Sequence, residues 1–204
     1  MDAPRINGNG SQRPDFAAIA QWIRGGARIL DLGCGDGTLL RYLATTRQAS
    51  GYGVEIEDAG ILACVRNGIN VIQGDLERGL SGFDDRSFDY VILSQTLQAM
   101  KNSEHIIDEM LRVGAEGIVT FPNFGYWKNR WQALAGRMPV TDSLPHQWYD
   151  TPNIHLCTID DFETFCSAQR VHILERVVMT NSHRVGWLPN LLGSLAVYRF
   201  ERAR

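Results

Sequence analysis

The chain has 204 residues, of which 44% are hydrophobic and 21% charged, and its formal net charge is −3. This length favours one domain with a substantial core, and the slightly negative charge gives no electrostatic reason to expect nucleic acid or an anionic membrane as a partner. No apolar run approaches the roughly 18 residues that span a bilayer, and residues 1–13 lack the apolar core of a signal peptide. A cytoplasmic location is therefore expected.

Segments typical of strands and helices alternate along the first 120 residues. Short apolar runs that end at glycine or proline predict buried parallel strands, and apolar residues at helical spacing predict the helices between them. Asp58 is expected to cap the third helix, and Asn102 or Ser103 the fourth. The predicted strands are residues 28–32, 51–56, 70–73, 88–94 and 117–121, and the predicted helices begin near residues 14, 36–38, 58 and 102–103.

The last third of the chain departs from this alternation. Thr158 is expected to cap a helix over residues 159–168, which leads to strands near residues 172–180 and 194–200. Because no helix is predicted between these two strands, they should form an antiparallel pair at the edge of the sheet. The fold class predicted is therefore α/β, with a Rossmann-like, doubly wound, mostly parallel sheet in a single domain over residues 1–204.

A glycine-rich turn follows the first predicted strand. Asp31 stands two residues before Gly33, which Cys34, Gly35 and Gly37 follow, so the spacing is G-x-G-x-G rather than the G-x-G-x-x-G of dinucleotide sites. An aspartate at this position is poorly placed beside a pyrophosphate but can face an ammonium group. The pattern therefore favours S-adenosylmethionine, which has an amino acid end and no phosphates.

The next three strand ends also carry polar groups, where ligands of such sheets bind. Glu55 is expected to accept hydrogen bonds from both ribose hydroxyls, with Ile56 beside it. Taken alone, each residue has a plainer interpretation: the glycine turn as a connector, Glu55 as a surface carboxylate, Asp75 as a turn residue and Cys34 as a packing residue. The remaining candidates are Asp75 at the adenine amino group, Leu76 against the ring, and Ser94 and Gln95 beside the methionine portion.

The four cysteines provide no sign of a metal site. They form no C-x-x-C pair and stand at no zinc-ligand spacing from a histidine, so they are expected to be reduced and structural. No metal is predicted. The cysteines are Cys34, Cys64, Cys157 and Cys166.

Several motifs resemble known families. D-L-G-C-G-D-G, V-E-I-E, Q-G-D-L and F-D-Y-V-I-L-S-Q-T-L-Q, within residues 14–123, resemble class I S-adenosylmethionine-dependent methyltransferases. S-Q-T-L-Q, F-P-N-F-G-Y-W and L-P-H-Q-W-Y-D-T-P-N-I-H resemble the methionine biosynthesis protein MetW family over nearly the whole chain. This resemblance implies S-adenosylmethionine or S-adenosylhomocysteine as ligand, and homoserine O-acyltransferase as a protein partner that the chain assists or regulates.

Residues 124–157 form a long insert between the fifth strand and the helix after Thr158. It contains three of the five tryptophans, with a helix expected over residues 126–134. Three interpretations remain open: a small satellite core, a protein-docking surface, or a substrate lid in which His146, Tyr149 or His155 positions or deprotonates an acceptor. For His146 and His155 the plainer interpretation is structural, because a lone histidine in a loop is more often structural than catalytic.

Two functions fit the sequence. The first is an accessory or regulatory protein of methionine biosynthesis that binds S-adenosylmethionine and pairs with homoserine O-acyltransferase. The alternative is a methyltransferase acting on a small molecule, since the sulfonium is already activated and positioning an acceptor supplies much of the rate. An NAD-dependent oxidoreductase is disfavoured by the glycine spacing. The oligomeric state and the acyl group of the partner reaction, acetyl or succinyl, are left open.

Overall fold

The computed structural model describes residues 13–203. In this part of the chain eight strands form one sheet, in the order β3-β2-β1-β4-β5-β8-β6-β7. The first five strands are mutually parallel, and β8 runs antiparallel to both of its neighbours, β5 and β6. The strands are β1 (Arg28–Leu32), β2 (Ser50–Glu55), β3 (Val71–Gln73), β4 (Phe88–Ser94), β5 (Gly114–Pro122), β6 (Val171–Thr180), β7 (His183–Arg184) and β8 (Leu195–Arg202).

The helices are close to their predicted positions. Two predicted caps are confirmed: Asn102 accepts a hydrogen bond from the His105 N–H at 3.1 Å, and Thr158 accepts one from the Asp161 N–H at 3.1 Å. None of the helices in the described residues is long and apolar enough to cross a membrane. The helices are α1 (Pro14–Trp22), α2 (Thr38–Arg47), α3 (Asp58–Arg66), α4 (Ser103–Val113), α5 (Trp127–Leu134), α6 (Ile159–Ala168) and α7 (Pro189–Leu192), with 3₁₀ turns at Leu76–Arg78 and Leu97–Ala99.

Two expectations about the secondary structure are wrong: the cap of α3 and the absence of a helix between the last two predicted strands. Asp58 is the first residue of α3 rather than its cap; Glu57 holds the cap position, and the Asp58 carboxylate instead accepts from the Gln73 side chain at 3.0 Å. A short helix, α7, and the two-residue strand β7 lie between β6 and β8, where no helix was predicted. Pro189 preorganises the first turn of α7, and four residues are too few to show a helical period. The antiparallel pairing of β6 with β8 is nevertheless as predicted.

The sheet buries a separate hydrophobic cluster on each face. Side chains alternate along each strand, so Leu30 and Val91 pack with α4 and α6, whereas Ile29 and Ile92 pack with α1 and α2. On the first face Phe162 of α6 packs against Tyr198 of β8, with ring centroids 4.7 Å apart. Because both faces are covered by helices, a ligand can approach the parallel strands only at their ends.

Candidate functional site

The loop after β1 turns sharply through three glycines. Gly33, Gly35 and Gly37 have φ angles of +68°, +57° and +74°, a region that favours glycine. A Cβ atom at Gly33 would lie 2.8 Å from Thr96 Oγ1, but a Cβ at Gly35 would meet no atom of the described residues within 4 Å. As far as residues 13–203 are concerned, the middle of the loop therefore leaves room for a ligand to contact the backbone.

Asp31 is a buried carboxylate at the carboxyl end of β1. Only 2% of the residue is exposed, and no hydrogen bond from the described residues reaches its side chain. Burial raises its pKa to about 7; the nearby charge of Arg13 opposes this effect, and the charges of Glu55 and Asp15 add to it. Burying a carboxylate is costly, so this position favours a cation with N–H groups as its partner.

Glu55 is held by backbone donors beside the glycine loop. Its Oε2 accepts from the Gly35 N–H at 2.8 Å, and its Oε1 accepts from the N–H groups of Ile56 at 2.8 Å and Glu57 at 3.0 Å. The Ile56 side chain is 54% exposed. These bonds fix the carboxylate at the end of β2 with acceptor capacity left for hydroxyl groups.

Gly60, in α3, is a site residue that the sequence analysis missed. A Cβ atom there would lie 2.9 Å from Glu55 Cγ and 3.0 Å from the Gly35 carbonyl oxygen. A glycine inside a helix lowers helix stability, and this cost was the available signal that a close approach requires it. Its absent side chain lets α3 pack against both Glu55 and the glycine loop.

Asp75 and Leu76 lie at the end of β3, as predicted from the strand order. The Asp75 carboxylate accepts from the Glu77 N–H at 3.0 Å and lies 3.7 Å from the exposed Arg78 guanidinium. Leu76 is partly buried and packs against the hydrophobic cluster. One carboxylate oxygen of Asp75 thus caps the 3₁₀ turn, while the residue stays partly open to solvent.

Ser94 belongs to a polar cluster that joins the ends of β4 and β5 to α1. Its hydroxyl accepts from Arg13 Nη2 at 2.6 Å and lies 3.2 Å from both Asp15 Oδ2 and Thr120 Oγ1. Asp15 is fully buried and pairs with Arg13 at 2.5 Å. The sequence analysis missed Arg13, Asp15 and Thr120, because an acidic residue in a first helical turn is ordinary.

Gln95 follows Ser94 in the left-handed backbone region, with φ +55°. Its N–H donates to the Thr120 carbonyl oxygen at 2.9 Å, and its own carbonyl accepts from Gln98 Nε2 at 2.7 Å. Its side chain is exposed. This turn is therefore fixed by its neighbours at the strand edge where the candidate site lies.

The Cys34 side chain points away from the open side of the loop. It is 8% exposed, and its Sγ lies 3.7 Å from that of Cys64, whose thiol donates to the Gly35 carbonyl oxygen at 3.2 Å. Burial is the main cause that raises the pKa of both thiols. All four cysteines are free, and no cluster of three potential metal ligands occurs in the described residues.

The insert at residues 124–157 contacts the strand ends at its last residues. The N–H groups of Ile154 and His155 donate to the Gln98 carbonyl oxygen at 2.8 and 2.9 Å. His155 is thereby linked to the Gln95 turn, whereas no hydrogen bond within residues 13–203 links His146 or Tyr149 to the strand ends. Tyr149 is 71% exposed. Within residues 13–203, His155 is thus the one of the three catalytic candidates that hydrogen bonds tie to the candidate site.

Comparisons with known proteins cover nearly the whole chain. The family model described as methionine biosynthesis protein MetW matches residues 13–200. The bifunctional methionine biosynthesis protein MetXA/MetW of Rhodopirellula baltica is 37% identical over 202 residues, which cover 92% of this chain and 32% of that protein. The chain thus spans about a third of the length of this relative.

Solved structures share the fold at low sequence identity. An S-adenosylmethionine-dependent methyltransferase from Mesorhizobium loti superposes with a TM-score of 0.70 at 15% identity, covering 93% of this chain and 98% of that one. The [4+2]-cyclase SpnF superposes with a TM-score of 0.63 at 16% identity, covering 93% and 79%. The predicted class I methyltransferase fold is therefore confirmed, and it also occurs in a cyclase.

Proposed function

The chain belongs to the methionine biosynthesis protein MetW family, and on that premise we propose that it binds S-adenosylmethionine and serves homoserine O-acyltransferase as an accessory or regulatory subunit. The observation that supports the ligand is Asp31, a buried carboxylate that accepts no hydrogen bond from residues 13–203 and lies at the start of the glycine loop. The proposed partner is supported by the Rhodopirellula baltica relative, whose name joins MetXA and MetW in one protein.

The residues of the site fit the two ends of the ligand. The ammonium group would lie at Asp31, and the carboxylate would pair with Arg13, whose Nη1 group donates no hydrogen bond to a described residue. Ser94 and Asp15 hold that guanidinium in place. When bound, S-adenosylmethionine supplies an activated methyl group; S-adenosylhomocysteine lacks that methyl group but offers the same amino acid end.

The nucleoside would occupy the other half of the edge. Glu55 would accept hydrogen bonds from the ribose hydroxyls, with Ile56 against the sugar. Asp75 would accept from the adenine amino group, and Leu76 would pack on the ring. Gln95 and the backbone of Gly33 to Gly37, including Cys34, would line the centre of the site.

An accessory role agrees better with the geometry than an assembled catalytic centre does. Two of the three candidate acid–base residues, His146 and Tyr149, have no hydrogen bond that ties them to the strand ends within residues 13–203. A ligand made from the pathway's product would instead let the chain report methionine supply to its partner. Methyl transfer to a small molecule is the second candidate, favoured by the link from His155 through Gln98 to Gln95.

Calorimetric titration with S-adenosylmethionine tests the ligand. Glu55→Ala should weaken binding about 100-fold, because two ribose hydrogen bonds to a charged acceptor are lost. Glu57→Ala is the matched control: it removes a neighbouring exposed carboxylate and keeps the backbone N–H that holds Glu55. Equal affinity of the wild type and Glu55→Ala would place the ligand elsewhere.

The same purified chain tests the partner and the reaction. It should co-elute with the homoserine O-acyltransferase encoded by the same genome and change the acylation rate. Labelled S-adenosylmethionine incubated with a metabolite extract distinguishes the second candidate, because a labelled small molecule would indicate methyl transfer. Neither complex nor rate change at micromolar concentrations would contradict the accessory role.

A further inference from the structure

Helix α5, in the insert, has its apolar side toward solvent. Trp127, Trp131 and Leu134 are spaced four and three residues apart, which places them on one face, and they are 46%, 70% and 83% exposed. The buried residue of the helix is polar, Asn129. An ordinary surface helix has the opposite arrangement, with its apolar stripe against the core.

This orientation is fixed by hydrogen bonds on the polar side. Asn129 Nδ2 donates to the carbonyl oxygens of Asn123 at 3.1 Å and Phe124 at 3.3 Å, and its Oδ1 accepts from the Thr141 hydroxyl at 3.3 Å. Arg130 Nε donates to the Gly125 carbonyl oxygen at 2.5 Å. The helix cannot rotate its tryptophans inward without breaking these bonds, so the outward stripe is a built feature.

Two further apolar side chains of the insert are exposed close to α5. Met138 is 53% and Trp148 72% exposed, and both line a groove of about 640 Å³ that also includes Gln132 of α5. We call Trp127, Trp131, Leu134, Met138 and Trp148 the apolar face. Exposed apolar surface that includes tryptophan is typical of protein interfaces.

The charges on the α5 side of the apolar face are of one sign. Residues 124–141 contain Lys128, Arg130 and Arg137, all exposed, and no aspartate or glutamate, whereas exposed Asp142 and Asp150 lie in the segment that carries Trp148. A second copy packed on α5 about a two-fold axis through this helix would bring like charges together, which is unfavourable. The charges therefore fit a different protein, with an apolar groove bordered by carboxylates.

We propose that the apolar face is the surface that docks homoserine O-acyltransferase, with Trp131 and Leu134 as the anchors in an acid-rimmed groove of that enzyme. This inference rests on the proposed function, which supplies the partner. The structure supplies the chemistry: an outward apolar stripe at the spacing used by helices that bind in grooves, with Lys128 and Arg137 exposed on and just after the same helix.

The test measures affinity for the purified acyltransferase by calorimetry. The double variant Trp131→Ala/Leu134→Ala should bind at least about 50-fold more weakly, because aromatic anchors dominate interface affinity. Lys128→Glu/Arg137→Glu should weaken binding about tenfold, with less loss at high salt. The matched control, Leu62→Ala/Val65→Ala, removes two exposed apolar residues at the same spacing in α3 and should bind normally. All variants should keep wild-type affinity for S-adenosylmethionine, which verifies their folding.

The outcomes separate this inference from the proposed function. If the wild type and both double variants of the apolar face bind the acyltransferase equally, the docking face is wrong, but the proposal that the acyltransferase is the partner is retained. If the wild type itself does not bind, the accessory role and this inference both fail. Binding of the wild type, but not Trp131→Ala/Leu134→Ala, to anionic phospholipid vesicles or to itself would overturn the assignment of the face to this enzyme.

Discussion

Two regions of the molecule distribute polar and apolar groups in opposite ways: the insert at residues 124–157, and the carboxyl ends of the parallel strands together with the start of α1, which we call the edge. At the edge, Asp15, Asp31 and Glu55 are carboxylates at 0%, 2% and 9% exposure, whereas the insert exposes Trp131 and Trp148 at 70% and 72%. Charged side chains are usually exposed and tryptophans usually buried, so each region departs from the common pattern in the opposite direction. A buried carboxylate suits a charged ligand, and an exposed tryptophan suits a protein surface, so the comparison separates the proposed small-molecule site from the proposed docking face.

The two regions nevertheless share a support. Asn123, fully buried at the end of β5, donates to the carbonyl oxygens of Asn190 at 3.0 Å and Gly193 at 2.8 Å. Its side-chain oxygen accepts from the Gly125 N–H at 2.9 Å, and its own carbonyl accepts from Asn129. The Asn123 side chain therefore fixes the start of the insert against the sheet, and with it the position of α5, which carries Trp127 and Trp131.

The largest expected effect tests the cost of the buried charge at the edge. Asp31→Asn should weaken S-adenosylmethionine binding about 100-fold, because a charge-assisted hydrogen bond to the ammonium group is lost. The same variant should make the free protein more stable at pH 8, by about 2 kcal/mol, because the buried charge is removed although the amide still lacks partners. Calorimetry and thermal unfolding measure the two effects.

The pKa of Asp31 determines how stability and ligand affinity change with pH. It is raised from 3.8 to about 7 in the folded chain, so the folded state holds the proton more tightly and stability falls as pH rises from about 4 to 7. Wild-type affinity for the cationic ligand should fall about fivefold from pH 7 to pH 6, since Asp31 must lose its proton to bind. Asp31→Asn should abolish this dependence. A variant that is less stable than the wild type at pH 8 would contradict the assignment.

A smaller effect tests whether the edge depends on the close approach of α3. Gly60→Ala should weaken ligand binding about tenfold, because the new Cβ displaces Glu55, while unfolding stability changes little because alanine favours the helix by about 1 kcal/mol. Gly82→Ala is the control, since a Cβ there meets no atom of residues 13–203 within 4 Å. Titration calorimetry decides. An unchanged affinity would mean that Glu55 tolerates the shift or takes no part in binding.

The sequence predicted the edge better than the insert, for physical reasons. The strands, the glycine loop and Glu55 are local signals, and parallel order brings successive strand ends together. Arg13, Asp15 and Thr120 could not be found this way, because the contacts of Asp15 with Ser94 and Thr120 join residues 79 and 105 positions apart. The exposure of Trp131 was also hidden, since an aromatic residue in a helix is equally compatible with a core.

The smallest expected effect tests whether the two regions communicate. Gln98 joins them: its side chain donates to the Gln95 carbonyl at the edge, and its own carbonyl accepts from Ile154 and His155 in the insert. If the chain senses S-adenosylmethionine, saturating ligand should change its affinity for the acyltransferase about fivefold, and the partner should change ligand affinity by the same factor. Gln98→Ala should reduce this factor toward one.

Gln98→Ala should leave each separate affinity within about twofold of the wild type, because it removes one side-chain hydrogen bond and no residue placed against the ligand or the partner. Gln169→Ala, at the end of α6, is the control and should keep the full coupling. Both affinities are measured by calorimetry with and without the other ligand. If coupling persists in Gln98→Ala, it runs through other residues, and Asn123 is the next to substitute. If the wild type shows no coupling, the ligand site and the docking face are independent.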